Sequence, residues 1–395
     1  MHVTGLLMGK ISPPRAVAFE VLQDIAEGGY AADALRKVSH GLDARDAGLA
    51  SQIVFGCLRF QGQLDYLICM YSGRRIQDLD AAVALVLRMA IFQLRYLERI
   101  PAHAAVHESV ELVKRHKRAA AGLVNAVLRK VNRAAVSWPS EEIEFSCPEW
   151  LLARWRAHFG ADTARAIAKA ALSEPAAYIR VRPGDDLPEG VFAERTQIEG
   201  CWRLLPSSRP GMRLHDISSQ AILPLLDLRA GQTYLDLCSA PGNKTLQAIE
   251  TPLSCAIACD VSERRLRDVP PVCPRVVLDA TQTLPFSRPF DRIFIDAPCS
   301  GTGTLARNPE IKWRVRAEDF ARFREKQIRI VAQGLKLLAP GGKLLYATCS
   351  LETEENEEVI RRIVVGEPGL RVEQAMWRLP GRDEGDGFYG VVLTR

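Results

Sequence analysis

The spacing of apolar residues divides the chain into regions. Over residues 13–134, apolar side chains recur at three- and four-residue intervals, the period of amphipathic α-helices. Pro, Gly and polar breaks separate the runs with this spacing, which include PPRAVAFEVLQDI, DAGLASQIVFGCLRFQGQLDYLI, DAAVALVLRMAIFQLRYL and AAVHESVELVKRH. The pattern predicts a compact all-α N-terminal domain, which we assign to residues 1–140.

The helical pattern stops at the run NRAAVSWPSEEIEFSCPEW. Its two prolines and mixed charges are typical of a linker. Beyond it, PEWLLARWRAHFG predicts one more amphipathic helix, and AYIRVRP and GCWRLLP predict short strands. We therefore interpret residues 141–215 as a linker followed by a small segment of its own.

From Gln232 onward, short apolar runs alternate with helical ones. The strand-like runs are TYLDLCSA, CAIACDV, RVVLDA, RIFIDAP and KLLYATCS. They are apolar throughout rather than at every second position, which favours parallel strands covered on both faces. Residues 216–395 are thus predicted to form a doubly wound α/β domain with a mostly parallel sheet, and the whole chain is multidomain.

Composition narrows the class of protein. The chain has 395 residues and 47% hydrophobic content, enough for two or three globular domains. Its longest apolar runs fall short of the roughly 20 residues that span a bilayer, and no secretory signal pattern opens it. We therefore expect a cytoplasmic protein without membrane contact, and by default a monomer.

The cysteines argue against disulfides and against zinc. All 10 are scattered through a long chain, so reduced thiols are expected. The closest set, Cys255, Cys259 and Cys273, contains no C-x2-C pair and lies partly in an apolar run. Small core residues are the better interpretation, and no metal is expected.

The net charge of +5 is unevenly distributed. Residues 1–140 contain 18 Lys and Arg against 12 Asp and Glu, which leaves 34 against 35 for the rest. The cations cluster in ELVKRHKRAAAGLVNAVLRKVNR, at Lys114, Arg115, Lys117, Arg118, Arg129 and Lys130. A solvated helix face is one interpretation, and a surface that binds nucleic-acid phosphates is the other.

Candidate ligand-binding residues follow the predicted parallel strands, where such sheets bind ligands. The run LDLCSAPGNKTLQAI predicts a strand, a tight turn at Pro241 and Gly242, and a helix, so that backbone N–H groups can face an anionic group. Aspartates also end four strands, at Asp236, Asp260, Asp279 and Asp296. Helix capping explains one such residue, but four in register favour an adenosine-type pocket.

The loop also excludes some cofactors. It contains neither G-x-G-x-x-G nor G-x4-G-K-[ST], which argues against a dinucleotide and against a nucleoside triphosphate. Asp260 lies 24 positions after Asp236, about where an acidic residue contacts ribose hydroxyls in nucleotide-binding folds. S-adenosylmethionine (AdoMet) fits these observations better.

Two cysteines also follow strands, Cys299 in FIDAPCSGTGT and Cys349 in YATCSLETEENEEVI. A lone cysteine at either place is more often structural. Both at one edge of a sheet favour chemistry at cytosine C5, which is a poor nucleophile until a thiolate adds to C6. Cys349 stands next to a predicted helix start, whose dipole would favour its thiolate. Asp296 could hydrogen-bond the base, and Lys244 could supply positive charge.

These runs resemble the motifs of a known family. LDLCSAPGNKT, DAPCSGTGTLARNPEIKW, LAPGGKLLYATCSLETEENEEVI and DGFYGVVL are similar to motifs of the RNA (cytosine-5) methyltransferases of the Sun/nucleolar family. IPAHAAVHESVELVKRHKRAAAGLVNAVLRKVNR resembles the NusB-like domain of the bacterial RsmB subgroup, which acts on 16S rRNA. The resemblance covers residues 1–134 and about the last 180 residues.

The resemblance implies roles for the matching residues. Cys349 would be the nucleophile on C6, Cys299 would assist product release, and Asp296 would serve both cofactor and base. Asp260 would contact the AdoMet ribose and Asp279 would lie near the adenine. The implied AdoMet loop consists of Cys238, Ser239, Ala240, Pro241, Gly242, Asn243 and Lys244.

The resemblance also implies an architecture. The NusB-like helical domain would bind RNA, a small RNA-binding segment would follow, and the last strand of the Rossmann-like methyltransferase sheet would be antiparallel.

The sequence departs from the family at two places. The loop usually reads A-A-P-G-G-K, whereas here Asn243 replaces the second glycine, and Asn tolerates left-handed backbone angles. The middle segment is short and lacks the usual R-V-N start. A non-catalytic RNA-binding factor with a degenerate sheet is therefore the alternative, although the retention of Cys349, Cys299, Asp296 and Lys244 argues against it.

Overall fold

A computed structural model describes residues 11–38, 41–208 and 211–395. The chain divides into two compact units. The first comprises Met1–Arg154 with Asn308–Arg314, and the second comprises Trp155–Arg307 with Val315–Arg395. Within the described residues, no helix combines the length and the apolarity that crossing a bilayer requires.

The first unit is helical, as its apolar period predicts. Its helices are α1 (Pro13–Ala26), α2 (Ala31–Val38), α3 (Ala44–Arg59), α4 (Gln61–Ser72), α5 (Ala81–Tyr96), α6 (Ala102–Lys117), α7 (Ala121–Leu128) and α8 (Glu141–Glu144). Side-chain caps begin three of them, since Asp43 accepts from the backbone N–H of Asp46, Asp80 from that of Ala82 and Ser140 from that of Ile143. These side chains satisfy N–H groups that have no partner inside the helix.

Close packing shapes the core of this unit. The run DAGLASQIVFGCLRFQGQLDYLI forms two helices rather than one, because the backbone leaves the α region at Phe60 between α3 and α4. The Phe60 ring stacks on Tyr96 with centroids 4.5 Å apart. A Cβ at Gly56 would lie 1.9 Å from the Phe92 ring, so only glycine lets that ring approach α3.

The second unit begins inside α9 (Glu149–Phe159), which α10 (Ala161–Ala170) follows. A three-stranded antiparallel sheet comes next, in the order β1-β3-β2, with β1 (Tyr178–Arg180), β2 (Ala193–Arg195) and β3 (Cys201–Leu204). The two strands predicted in the middle segment are thereby confirmed as β1 and β3.

The larger sheet has seven strands in the order β6-β5-β4-β7-β8-β10-β9. They are β4 (Thr233–Asp236), β5 (Cys255–Asp260), β6 (Arg275–Val277), β7 (Phe290–Asp296), β8 (Leu338–Thr348), β9 (Arg371–Arg378) and β10 (Phe388–Thr394). The pairs among β4 to β8 are parallel, and β10 runs antiparallel to both β8 and β9. The predicted mostly parallel sheet with an antiparallel last strand is confirmed.

Helices cover both faces of the central strands β4, β7 and β8, which explains why these strands are mostly apolar. The helices of the second unit that follow the small sheet are α11 (Ile217–Ile222), α12 (Asn243–Ala248), α13 (Glu263–Leu266), α15 (Ala317–Lys336) and α16 (Glu357–Gly366), whereas α14 (Ile311–Arg314) belongs to the first unit. Ile295 packs in one buried cluster with residues of α15 and α16, and its neighbour Phe294 packs in another with residues of α11 and α12. Alternate side chains of each central strand are therefore buried on opposite faces.

Candidate active site

The two cysteines singled out in the sequence meet in the structure. Asp296 pairs with Ala347 in the parallel register of β7 and β8, so the loops that leave these strands run side by side. Cys299 and Cys349 lie in these loops, and their sulfur atoms are 3.4 Å apart. Both side chains are half-buried. The two thiols are thus direct neighbours, and all ten cysteines of the chain are free.

The environment of Cys299 keeps it protonated. Its pKa is raised well above the ordinary thiol value, first by the hydrogen bond with Cys349 and then by burial. A protonated Cys299 can donate a hydrogen bond to Cys349 when that residue is a thiolate. The prediction that Cys349 stands next to a helix start, whose dipole would favour its thiolate, is wrong. The helix α16 starts only at Glu357, well beyond Cys349.

A charged pair lies at the end of β7. Lys244 Nζ is 2.7 Å from Asp296 Oδ2, and the ammonium also lies 4.9 Å above the centre of the Phe388 ring. The Lys244 side chain is 10% exposed and that of Asp296 31%. The lysine is therefore fixed beneath a carboxylate that remains open to a ligand.

The loop between β4 and α12 makes its tight turn at Gly242. Gly242 has φ 101°, and a Cβ there would lie 3.0 Å from the Val269 Cα, so glycine is required twice over. The left-handed residue thus lies within the predicted turn at Pro241 and Gly242, and Asn243 needs no left-handed angles because it is the first residue of α12. Its amide group donates to the Leu214 carbonyl at 2.9 Å and accepts from Arg213 at 3.0 Å. Asn243 thus ties the loop to the preceding segment.

Asp260 supports the same loop from β5. Its carboxylate accepts from the backbone N–H of Ala240 at 3.2 Å and from that of Ser262 at 2.9 Å. Ser239 is buried, yet its hydroxyl has no hydrogen-bond partner among the residues that the structure describes. A ligand with a polar group at this turn would satisfy that hydroxyl.

Two further aspartates occupy different environments. Asp279 is exposed and accepts from the backbone N–H and the hydroxyl of Thr281 at 2.9 and 2.8 Å, which holds its pKa below the ordinary value. Asp236 is fully buried beneath the loop and accepts from the Thr245 hydroxyl at 2.7 Å. Burial raises the pKa of Asp236 to about 7. Asp236 is therefore part of the loop's support rather than of an open pocket.

Glycines also hold the loop after Cys299. The Gly303 N–H donates to the Cys349 carbonyl at 2.9 Å, and the Gly303 carbonyl accepts from the Gly387 N–H at 2.7 Å. A Cβ at Gly303 would lie 2.5 Å from the Gly387 carbonyl oxygen. The SGTG and DGFYG runs are thus packed backbone against backbone, which sequence reasoning did not foresee.

Arg307 joins the same region to two acids that the sequence did not single out. Its guanidinium lies 2.7 Å from Asp216 Oδ2 and 2.8 Å from Asp386 Oδ2. Asp386 is deeply buried, which raises its pKa to about 7. No signal in the sequence separates these residues from ordinary surface charges.

The basic residues of the first unit lie at the end of α6 and just after α7. Lys114, Arg115, Lys117, Arg118, Arg129 and Lys130 are all exposed. Lys114 and Arg129 line one groove together with His103 and His107. Lys114 also pairs with Glu111 at 2.6 Å and Lys117 with Asp80 at 3.1 Å. All six cations are therefore accessible, and two of them, Lys114 and Arg129, share one groove.

The fold and the site define an AdoMet-dependent RNA methyltransferase. The family model described as 16S rRNA methyltransferase RsmB/F matches residues 223–393, and the NusB family model matches residues 12–133. Ribosomal RNA small subunit methyltransferase B from Cronobacter sakazakii is 30% identical and covers 96% of this chain and 98% of its own. The corresponding protein of Salmonella paratyphi B is also 30% identical, over 98% of this chain and 100% of its own. The chain belongs to the RsmB/F family of 16S rRNA methyltransferases.

Solved structures show the same fold. The crystal structure of PH0851 superposes with a TM-score of 0.78 at 21% identity and covers 98% of this chain and 100% of its own. NSun6 from Pyrococcus horikoshii superposes with a TM-score of 0.54 at 18% identity, over 62% of this chain and 98% of its own. These structures confirm the predicted fold, and the family models and relatives above confirm the resemblance to the RsmB family.

Proposed function

We propose that this protein methylates C5 of a cytosine in 16S rRNA through a covalent bond between Cys349 Sγ and C6 of the base. The observation that carries the proposal is the 3.4 Å approach of the Cys299 and Cys349 sulfurs. The paired Lys244 and Asp296 at the end of β7 supply the charges that the same chemistry needs. A cysteine with a purely structural role needs neither a second thiol at this distance nor a charged pair nearby.

The residues act in sequence. The Cys349 thiolate adds to C6, and the electron pair of the C5–C6 bond shifts so that C5 becomes nucleophilic. Asp296, open on one side, hydrogen-bonds the N3–N4 edge of the base, and the Lys244 ammonium beside it offsets the negative charge that develops on the ring. AdoMet supplies the electrophilic methyl group that C5 accepts.

Release restores the aromatic ring. The C5 proton leaves to water, its bonding pair re-forms the C5–C6 double bond, and Cys349 departs as a thiolate. The protonated Cys299 can hydrogen-bond this leaving sulfur, which favours its departure over the reverse reaction. Cys299 therefore serves the second half of the cycle.

The proposed cofactor site lies on the loop after β4. The backbone of residues 238–244 and the unpartnered Ser239 hydroxyl would meet the polar end of AdoMet. Asp260 at the end of β5 would accept from the ribose hydroxyls, and Asp279 would lie on the adenine side. Asn243 does not oppose this placement, because Arg213 and Leu214 already bind its amide.

The Cys299→Ala variant tests the mechanism. If Cys299 assists release, the variant accumulates a Cys349–RNA adduct when it is incubated with AdoMet and unmethylated 16S rRNA fragments. The adduct migrates slowly on a denaturing gel. In the Cys299→Ala/Cys349→Ala control it must be absent. An adduct that persists in this control would place the bond on another residue, and no adduct despite AdoMet binding would contradict the thiol mechanism on this RNA.

We further propose that the six exposed cations at the end of α6 and just after α7 bind RNA phosphates. They are Lys114, Arg115, Lys117, Arg118, Arg129 and Lys130. Each phosphate contact adds about 0.7–0.9 to the slope of log affinity against log salt. Arg115→Ala/Arg118→Ala/Arg129→Ala is therefore expected to lower this slope by about 2 for a 16S rRNA fragment, measured by filter binding. Arg75→Ala is the control, because that exposed arginine pairs with Asp78 at 2.8 Å. An unchanged slope in the triple variant would exclude this surface.

A further inference from the structure

One buried carboxylate contacts both cysteine loops. Glu355 ends a short 3-10 turn, Thr353–Glu355, and is fully buried. Its Oε1 accepts from the Ser350 hydroxyl at 2.7 Å and from the Ser300 hydroxyl. Its Oε2 accepts from the Ser300 backbone N–H at 2.9 Å and from Gln327 Nε2 at 3.1 Å. Four donors from three parts of the chain converge on this side chain.

The positions of these donors matter. Ser300 directly follows Cys299, and Ser350 directly follows Cys349. Gln327, on α15, also donates to the Pro298 carbonyl at 3.0 Å, on the other side of Cys299. Glu355 therefore holds both cysteine loops, and it does so at the residues next to each cysteine.

The next residue completes the arrangement around Cys349. Asn356 Oδ1 accepts from the Thr348 hydroxyl at 2.6 Å, and its Nδ2 donates to the Ser350 carbonyl at 2.9 Å. Both neighbours of Cys349 are thus bonded to the Glu355–Asn356 pair. The two residues fix the backbone on either side of the nucleophile.

Stability alone does not account for an acid at this place. Taking a carboxylate out of water costs several kcal/mol, and an apolar side chain of similar size often does as well or better in a core. The burial raises the pKa of Glu355, which shows that its charged form carries this cost. The cost of burying the Glu355 carboxylate is tolerated because both cysteine loops are bonded to it.

We propose that Glu355 is a positioning residue that sets the separation between the Cys299 and Cys349 sulfurs. It does not touch the reacting atoms. It acts through Ser300 and Ser350, so that the Cys299 thiol is in place to hydrogen-bond the Cys349 sulfur when that sulfur leaves C6 of the base. This inference rests on the proposed thiol chemistry and deepens it.

The separation of the sulfurs can be measured without RNA. Oxidised glutathione converts the two thiols to a Cys299–Cys349 disulfide and releases two molecules of glutathione, which balances atoms and electrons. The equilibrium constant of this exchange reports how closely the sulfurs are held. It is obtained by quantifying the linked peptides by mass spectrometry in glutathione buffers.

Glu355→Gln is expected to lower this constant about tenfold and kcat for methyl transfer by a similar factor, with KM for RNA within twofold. Glu358→Gln is the matched control, because that acid lies on α16 and pairs with Arg324 at 2.6 Å. It should change neither quantity by more than twofold. Ser300→Ala and Ser350→Ala each remove one contact and extend the test should the Glu355 variant fail to fold.

The outcomes separate the two proposals. If Glu355→Gln and both serine variants leave the disulfide constant and kcat within twofold of the parent, the positioning role is overturned. If the constant falls as expected but Cys299→Ala forms no RNA adduct, Glu355 still positions the thiols and the proposed mechanism fails. If the constant is unchanged but kcat falls, Glu355 acts in another way and the inference is wrong.

Discussion

The Cys349→Ala variant is expected to lose methyl transfer by a factor on the order of 10⁴ or more, as removal of a covalent nucleophile does in other enzymes. Without the sulfur, no bond to C6 forms and C5 remains unreactive. The side chain is half-buried at a loop, so its truncation leaves no large cavity. Transfer of a radiolabelled methyl group to a 16S rRNA fragment measures the loss.

Two controls give this result its meaning. Cys255→Ala removes an exposed thiol at the start of β5 and should retain parental activity. AdoMet binding to Cys349→Ala, measured by calorimetry, should stay within a few-fold of the parent, because the loop at residues 238–244 is unchanged. Residual activity above one-tenth of the parental value would contradict covalent catalysis by Cys349.

Asp296→Asn should produce the second largest loss, a fall in kcat of roughly 10²- to 10³-fold, as for removal of one preorganised polar group that holds the transition state, because Asp296 both hydrogen-bonds the base and holds Lys244. The amide keeps the shape of the carboxylate but not its charge, and it leaves the Lys244 ammonium 2.7 Å away without its counter-charge. Steady-state kinetics should place the effect in kcat rather than in KM for RNA.

Another aspartate of the same strand supplies the comparison. Asp291, near the start of β7, accepts from the Thr233 N–H and hydroxyl, both at 2.8 Å, far along the strand from the cysteines. Asp291→Asn is expected to reduce stability modestly and to leave kcat within threefold. Equal losses in both variants would mean that Asp296 acts through the fold and not at the base.

Much of the fold was accessible from residue spacing. The helical period of residues 13–134 predicts the first unit, and the apolar runs after Gln232 predict β4 to β8, of which the central strands β4, β7 and β8 are covered on both faces. The helix break at Phe60 was not predicted. Phe60 packs against Tyr96, which lies at the end of a later helix, and the local spacing of apolar residues carries no information about such a contact.

The site was only partly accessible from the same information. Strand ends in the sequence indicate which residues reach one edge of a sheet, and so identify Cys299, Cys349 and Asp296 as candidates. They do not distinguish Asp236 from the other three aspartates that end strands, although Asp236 alone is fully buried beneath the loop. Nor do they show that the Asn243 amide binds Arg213 and Leu214.

The sequence by itself determined the fold class of each domain and predicted the kind of chemistry, because period and motif are local properties of the chain. The tertiary structure alone decided which groups touch. The 3.4 Å between the two sulfurs follows from the parallel register of β7 and β8. The contacts of Glu355 follow from side chains that approach it from Ser300, Gln327 and Ser350. Such distances depend on how separate elements pack, and no local pattern specifies that.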